Sequence, residues 1–454
     1  MSASERMSAS ELRAAIGLAG IFGLRMLGLF IILPVFALYA SNLDGGSNLV
    51  LVGFALGAYG FTQALLQIPF GRWSDSVGRK PALYVGLTIF AIGSVVAGWS
   101  GSVLGVILGR VLQGAGAISA VAIAMAADLT REEHRTKVMA LIGSTIGISF
   151  AASLVLGPWL DKHIGVSGIF HMIALLAIVA IAVVRKLPEP AATASHTREP
   201  VPFAEVFANR ELMRLNVGIF VLHAVLLSIF VTVPFDLLSA GLARADHAQV
   251  YAAVMLGALL FMWPCMRHAE RRGRLRTVFL ACIALIFCSQ LMLLGLGRSI
   301  WSVAAALLVF FMGFMVLEAV LPAQVTRVAP AGARGTAVAV YSTVQFLGAG
   351  IGSVLAGVVM QYTGRNGLLV LNALLVLGWI AVAWRMRESE KSMERSFPIP
   401  PLDPGRASTL VDALAAVSGV RDVRLNQAAG MAYLKVQAKD FDEPSVTKLI
   451  AGES

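Results

Sequence analysis

Pro69-Phe70-Gly71-Arg72-Trp73-Ser74-Asp75-Ser76-Val77-Gly78-Arg79 returns 195 residues later as Pro264-Cys265-Met266-Arg267-His268-Ala269-Glu270-Arg271-Arg272-Gly273-Arg274. Proline, basic, acidic, glycine and arginine keep their places across that single offset. A second pair agrees with it. Gly20-Ile21-Phe22-Gly23-Leu24-Arg25 and Gly218-Ile219-Phe220-Val221-Leu222-His223 stand 198 residues apart. Self-similarity at nearly one offset marks a chain built from two copies of one structural unit. Both basic segments close long apolar runs, so the repeated unit is made of membrane-length helices.

The composition supports a membrane protein. Of 454 residues, 57% are hydrophobic and 14% charged, and the mean hydropathy is +0.79. A soluble protein of this size needs more polar surface. A spanning helix takes about 20 mostly apolar residues, and such runs fall at 14–40, 48–70, 81–100, 102–127, 137–158, 166–185, 213–238, 248–266, 275–297, 300–325, 336–362 and 367–385. Twelve spans put both termini on one side. The first run is too long for a signal-peptide core and is expected to be a retained helix. Loops on the side of the termini carry 18 Lys and Arg, against four (Lys162, Arg244, Arg298, Arg365) on the other. The positive-inside rule therefore places both termini in the cytoplasm, with 41–47, 159–165, 239–247 and 363–366 outside. The formal charge of +10 is explained by these scattered loop clusters and does not indicate nucleic acid. Cys265, Cys282 and Cys288 show neither a pairing framework nor metal spacing.

The longest polar break within the apolar region, 185–214, holds Pro188, Pro190, Pro200 and Pro202. It divides the chain into a six-helix half at 1–186, a linker at 187–212 and a second half at 213–386. Two six-helix halves in parallel repeat suit a carrier that rocks around a central site. Gly71-Arg72-Trp73-Ser74-Asp75-Ser76-Val77-Gly78-Arg79-Lys80 closely resembles the signature between the second and third helices of the major facilitator superfamily. Arg110-Val111-Leu112-Gln113-Gly114 resembles that superfamily's second motif, in the fourth helix. Gly157-Pro158 resembles the core of its drug–proton antiporter motif, with departures: Ser144 and Ser153 replace glycines before it, and Asp161 and Lys162 replace those after it. The resemblance covers about residues 12–386. It implies an all-α transporter fold in a bacterial inner membrane.

After Arg385 the composition changes. Pro398, Pro400, Pro401 and Pro404 bracket a short extended piece, and Leu410, Ala413, Leu414 and Val417 recur at helical spacing up to Gly419. Residues 420–425 and 431–436 alternate like strands around the turn residues 427–430, and a helix over 443–450 closes the chain. The order βαββα over 395–454 resembles a small α+β ferredoxin-like domain of the metal-chaperone type. It has no Cys-x-x-Cys and no histidine, which argues against metal delivery. Without a fourth strand, the sheet is expected to be three-stranded or to borrow an edge from a neighbour. A superfamily transporter with such an appendage resembles the YajR-type inner-membrane proteins.

Ionisable groups deep in a bilayer are costly, and each is a functional candidate. Arg25 lies about 11 residues into the first helix, roughly 16 Å at the helical rise. Arg110 lies in the fourth, His223 in the seventh and Glu318 in the tenth. The superfamily resemblance implies that these four helices line the central cavity, and the four residues are the candidates for proton coupling. His223 and Glu318 are expected at similar depth, about 14 Å and 12 Å from the cytoplasmic end. A static tie between helices is the alternative for each. Tyr59, Gln63 and Gln67 at helical spacing, with Gln113, Tyr341 and Gln345, are candidates for the substrate cavity or for interhelical glue. The resemblance also implies a conformational latch formed by Gly71, Asp75, Gly78, Arg79, Lys80 and Asp128. In it, Asp75 meets the N-terminal end of the eleventh helix, and Arg79 pairs with Asp75 and Asp128.

No Gly-x-x-x-x-Gly-Lys-Ser/Thr loop is present, which excludes ATP-driven transport by this chain. No nucleophile–base or metal-ligand set appears, so no enzyme and no cofactor are expected. Cavity helices rich in Phe, Leu and Met suggest proton-coupled export of small, largely apolar molecules. A proton symporter, a metabolite facilitator, and a membrane sensor whose tail binds a ligand or partner are the alternatives. The expected partners are the lipid bilayer, protons and a small substrate, with no nucleic acid.

Overall fold

The computed structural model describes residues 7–189, 203–272, 274–297, 299–386, 392–400, 402–427, 430–437 and 440–451. Pro190, Pro200 and Pro202 of the linker, Gly273, Arg298, Pro401 and part of the 427–430 turn lie outside them. Among the described residues, ten helices are long and apolar enough to cross a bilayer. Two of these, of 50 and 51 residues, far exceed one crossing. Each is broken by a single glycine with a left-handed φ, Gly165 at 66° and Gly364 at 70°. Each therefore supplies two spans, and the total is twelve. The two breaks stand 199 residues apart, so they extend the repeat read from the quoted segments.

The spans are Ala9–Phe30 with Leu33–Ala40 (first), Leu49–Val77 (second), Arg79–Trp99 (third), and Val103–Ala115 with Ser119–Asp128 (fourth). Glu132–Lys186 is the fifth and sixth. Arg210–Ser239, His247–Arg272, Leu275–Gly295 and Ile300–Val328 are the seventh to tenth, and Arg334–Trp384 is the eleventh and twelfth. Three details depart from the apolar pattern. The first span breaks at residues 31–32, because Pro34 has no N–H to donate and its ring crowds the carbonyl of Phe30. The fourth opens at 116–118, where Gly116 approaches the third span so closely that a Cβ would lie 2.3 Å from the Gly86 oxygen. The loop expected at 159–165 is helix as far as the Gly165 break, and the 363–366 link is helical around Gly364. Apolarity reports depth in a bilayer, whereas a helix continues past the apolar zone until a glycine or proline interrupts it.

An even number of spans leaves both termini on one face, called here the terminal face. The halves are joined from the middle of the spans to the opposite face. Spans two and eleven run backbone against backbone there. A Cβ on Gly53, Gly57 or Gly60 would lie 2.5 Å from the Ser353 oxygen, 2.6 Å from the Gly350 oxygen and 2.7 Å from the Phe346 oxygen. Small residues permit such approach and let packing hold membrane helices together. Gln361 accepts from the Leu49 amide at 2.8 Å at the far end of this seam. Arg244, between spans seven and eight, donates to Asp161 at 2.5 and 2.8 Å, a bidentate bridge between halves on the same face. These contacts hold the two halves together at the face opposite the termini.

Beyond the spans, a short helix Phe203–Ala208 precedes the seventh, and the tail folds as βαββα. Strands β1 (Ser392–Pro398), β2 (Val420–Asn426) and β3 (Met431–Gln437) form an antiparallel sheet in the order β1-β3-β2. The extended piece therefore precedes the prolines and ends at Pro398. Ala432, Leu434 and Val436 of β3 pack with Leu414 and Val446 of the helices Pro404–Ala415 and Glu443–Ala451. Alternate residues of a strand face opposite ways, so Tyr433 and Lys435 lie on the sheet's other face.

Candidate functional site

The four ionisable candidates separate into two clusters, one in each half. In the second half, spans seven, ten and eleven bring together His223, Glu318 and Gln345. The imidazole Nε2 stands 3.8 Å from Glu318 Oε2. The Gln345 amide nitrogen lies between them, donating to Glu318 Oε1 at 3.1 Å and facing His223 Nε2 at 2.9 Å. With that amide donating, His223 Nε2 accepts and carries no proton. His223 is 5% exposed and the Glu318 side chain 24%, so the carboxylate is the more open end. Among the described residues, Glu318 Oε2 and the nearby buried Tyr341 hydroxyl accept or donate no hydrogen bond, while the His223 ring also meets the Ile219 backbone. These atoms are acceptors and donors held ready for a proton, water or ligand.

An aromatic wall adjoins this site. Phe314 sits one helical turn from Glu318 on the tenth span, and its ring centroid is 6.1 Å from that of His223. Phe314 also contacts Phe310, Phe311 and, across the interface, Phe150 of the fifth span.

In the first half, Arg25 and Arg110 flank the ring of Tyr59, with guanidinium carbons 5.7 and 5.1 Å from its centroid. Cation–π contact of this kind partly replaces lost hydration. Arg25 donates to Ser119 and Gln63. Arg110 donates to Gln113 Oε1 at 3.0 Å, and Gln113 donates to Ser94 at 2.8 Å. Both arginines are almost fully buried. Their described partners are neutral, and neither is joined to Glu318. Gln67 donates to Thr343 of the eleventh span at 2.6 Å, on the terminal side of the glycine seam. Ser94, Ser119, Phe150, Phe314 and Thr343 were not singled out from sequence. They are ordinary small polar or apolar residues within apolar runs and carry no local signal.

The signature loop is ordered within its own half. Arg79 donates to Asp128 Oδ2 at 2.9 Å and to Ser74 Oγ at 2.6 Å, and it pairs with Asp75. Gly78 takes φ 97°, a left-handed turn that ends the second span and starts the third. Gly71 lies against Ala120 of the fourth span, where a Cβ would meet it at 3.4 Å. Lys80 stands 4.0 Å from Glu189. The Asp75 side chain is 54% exposed and held by Arg79, on a part of the second span beyond the seam with the eleventh.

Two six-helix halves around a polar centre, with the 71–80 signature loop at one face, define a membrane transporter. The chain belongs to the Major Facilitator Superfamily, whose profile matches residues 18–353 and again 239–433. It is 40% identical over 438 residues to the inner membrane transport protein YajR of Escherichia coli K12, covering 96% of each chain. It is 24% identical over 365 residues to the multidrug resistance protein MdtH of Aeromonas hydrophila, 79% of this chain and 90% of that one. Among solved structures, a D-xylose–proton symporter superposes with TM-score 0.66 at 15% identity, over 84% of this chain and 98% of that one, a likeness of fold.

Proposed function

We propose that this protein is a proton-coupled exporter of small, largely apolar compounds, working by alternating access in a bacterial inner membrane with both termini cytoplasmic. The observation that carries this reading is the His223–Gln345–Glu318 set, drawn from three spans at the centre of the second half. A carboxylate at this depth gains or loses one unit of charge with each proton, in surroundings where charge is expensive. Gln345 contacts both titratable side chains, so a proton arriving on either changes which bonds the amide can make. Gln345 belongs to the eleventh span, the partner of the second in the glycine seam. Protonation is thereby linked to the element that must move when the opposite face opens.

Phe150, Phe311 and Phe314 beside this set favour an apolar substrate body. Tyr59, Gln63, Gln67, Gln113, Tyr341 and Gln345 supply its polar contacts. The name of the Aeromonas relative, a multidrug resistance protein, supports export. Arg25 and Arg110 hold positive potential in the first half, which favours proton release toward whichever side is open. The latch residues Gly71, Asp75, Gly78, Arg79, Lys80 and Asp128 lie at the terminal face, where the positive-inside rule puts the cytoplasm.

The test compares Glu318→Gln and His223→Ala with wild type in proteoliposomes, across a panel of compounds, for proton flux, downhill exchange and accumulation driven by a pH gradient. Both variants should keep exchange and lose accumulation. Accumulation with normal pH dependence in both would remove the pair from the proton path.

A further inference from the structure

The β2–β3 face of the tail domain is already occupied. Lys435 donates to the carbonyls of Val328 and Ala329, at 3.2 and 3.1 Å, at the end of the tenth span. Asp422 accepts from the Ala331 amide at 2.9 Å. Gly332, with φ 71°, lies where a Cβ would meet Arg424 Cδ at 3.3 Å and Tyr433 Cδ2 at 3.6 Å. Arg424 in turn pairs with Glu205 of the linker helix at 2.8 Å. That helix is also held by the first half, since Arg72 of the signature loop lies 5.8 Å from the Phe203 ring centroid.

Each contact has a physical reason. The last carbonyls of a helix lack partners and carry the negative end of its dipole, so a lysine there is favoured. Strand periodicity sends Ala432, Leu434 and Val436 to the tail's own core, leaving Tyr433 and Lys435 for the other face. Tyr433 is nevertheless only 7% exposed. The connection between spans ten and eleven is also covered: Ala329 and Ala331 are each 2% exposed, and Ala333 is fully buried. A free sheet face and a free surface loop would not show this burial.

We infer that the tail domain is an intramolecular brake, docked in cis on the 328–332 connection and the linker helix, which holds the transporter open at the terminal face. The eleventh span begins at Arg334, two residues beyond the docked segment. To close the terminal face, the signature loop must move from Phe203 toward that end of the eleventh span. The docked tail holds both the departure point, through Glu205, and the segment leading into the landing point. The tail thereby keeps Phe203 in place beside Arg72 and covers the approach to Arg334, which weights the balance toward the open terminal face. This goes beyond the proposed transport reading and does not depend on the substrate or the proton path.

The experiment uses the full-length protein with Cys265, Cys282 and Cys288 replaced, in lipid nanodiscs, with spin labels placed in pairs. Ala204–Thr409 reports docking, Ser76–Arg272 the terminal face, and Gly101–Gly297 the opposite face. The triple variant Asp422→Ala, Arg424→Glu, Lys435→Ala removes charge-assisted hydrogen bonds. It should separate the docking pair and raise the closed-to-open ratio at the terminal face about tenfold. Glu205→Arg combined with Arg424→Glu should restore part of both readings relative to Arg424→Glu alone. Conversely, a short bis-maleimide joining Glu205→Cys to Arg424→Cys should hold the terminal face open. If the docking pair separates while both face distances stay as in wild type, the tail is no brake. If the docking pair does not separate in the triple variant, the assigned contacts do not hold it. Either result overturns the inference.

Discussion

Replacing Gly57 by alanine tests the seam that holds the halves together on the side opposite the termini. The added methyl would lie 2.6 Å from the Gly350 oxygen and 3.3 Å from its Cα and carbonyl carbon. These are backbone atoms of a helix and cannot turn aside as a side-chain tip would. Bringing the closest contact to ordinary van der Waals distance requires the two spans to part locally by about 0.8 Å. Gly53 and Gly60, four and three residues away on the same face, would lose their contacts together with it. Overpacking of this order costs about 1–3 kcal/mol. The state open to the opposite face does not make the contact and escapes the cost, so the population ratio should move toward it by roughly 5- to 150-fold. Spin-label distances for Gly101–Gly297 and Ser76–Arg272 in nanodiscs measure that ratio directly. Gly147→Ala is the control, because a Cβ at Gly147 would meet nothing within 4 Å. If Gly57→Ala and Gly147→Ala give the same distance distributions, the seam does not set the conformational balance.

Two further outcomes are expected. A cysteine at Asn42, in the connection after the first span, should react with an impermeant thiol reagent added to intact cells; labelling only after lysis would reverse the assigned orientation. Asp75→Asn should shift the population toward the state open at the terminal face and reduce transport, because it weakens the charge that meets the N-terminal end of the eleventh span on closure; unchanged distances at both faces would remove the latch role.

The architecture is legible in the amino-acid sequence. The 195- and 198-residue offsets, the apolar runs and the signature 71–80 were enough for twelve spans, two halves and the family. These properties are local or periodic, and a bilayer enforces them strongly because an unspanned apolar run or an uncovered backbone has no alternative there. The tail's order of elements was legible for a similar reason, as strand alternation reports one buried face. His223 and Glu318 stood out because charge inside an apolar run is expensive, and their expected depths placed them near each other.

Which polar atoms meet is set by packing and is not legible in the sequence. Gln345 joins His223 to Glu318, whereas Arg25 and Arg110 turn to Tyr59 in the other half; nothing in the spacing of these residues separates the two sets. Gly53, Gly57 and Gly60 mark one face of the second span, but that the eleventh span lies against it is set by the packing. Docking of Lys435 on Val328 and Ala329 was invisible for the same reason. The acceptors are main-chain carbonyls at a helix end, identical in every residue, and a contact between residues about 106 apart leaves no periodic trace in the chain. Periodicity encodes which face of an element is buried; it does not encode what lies against that face.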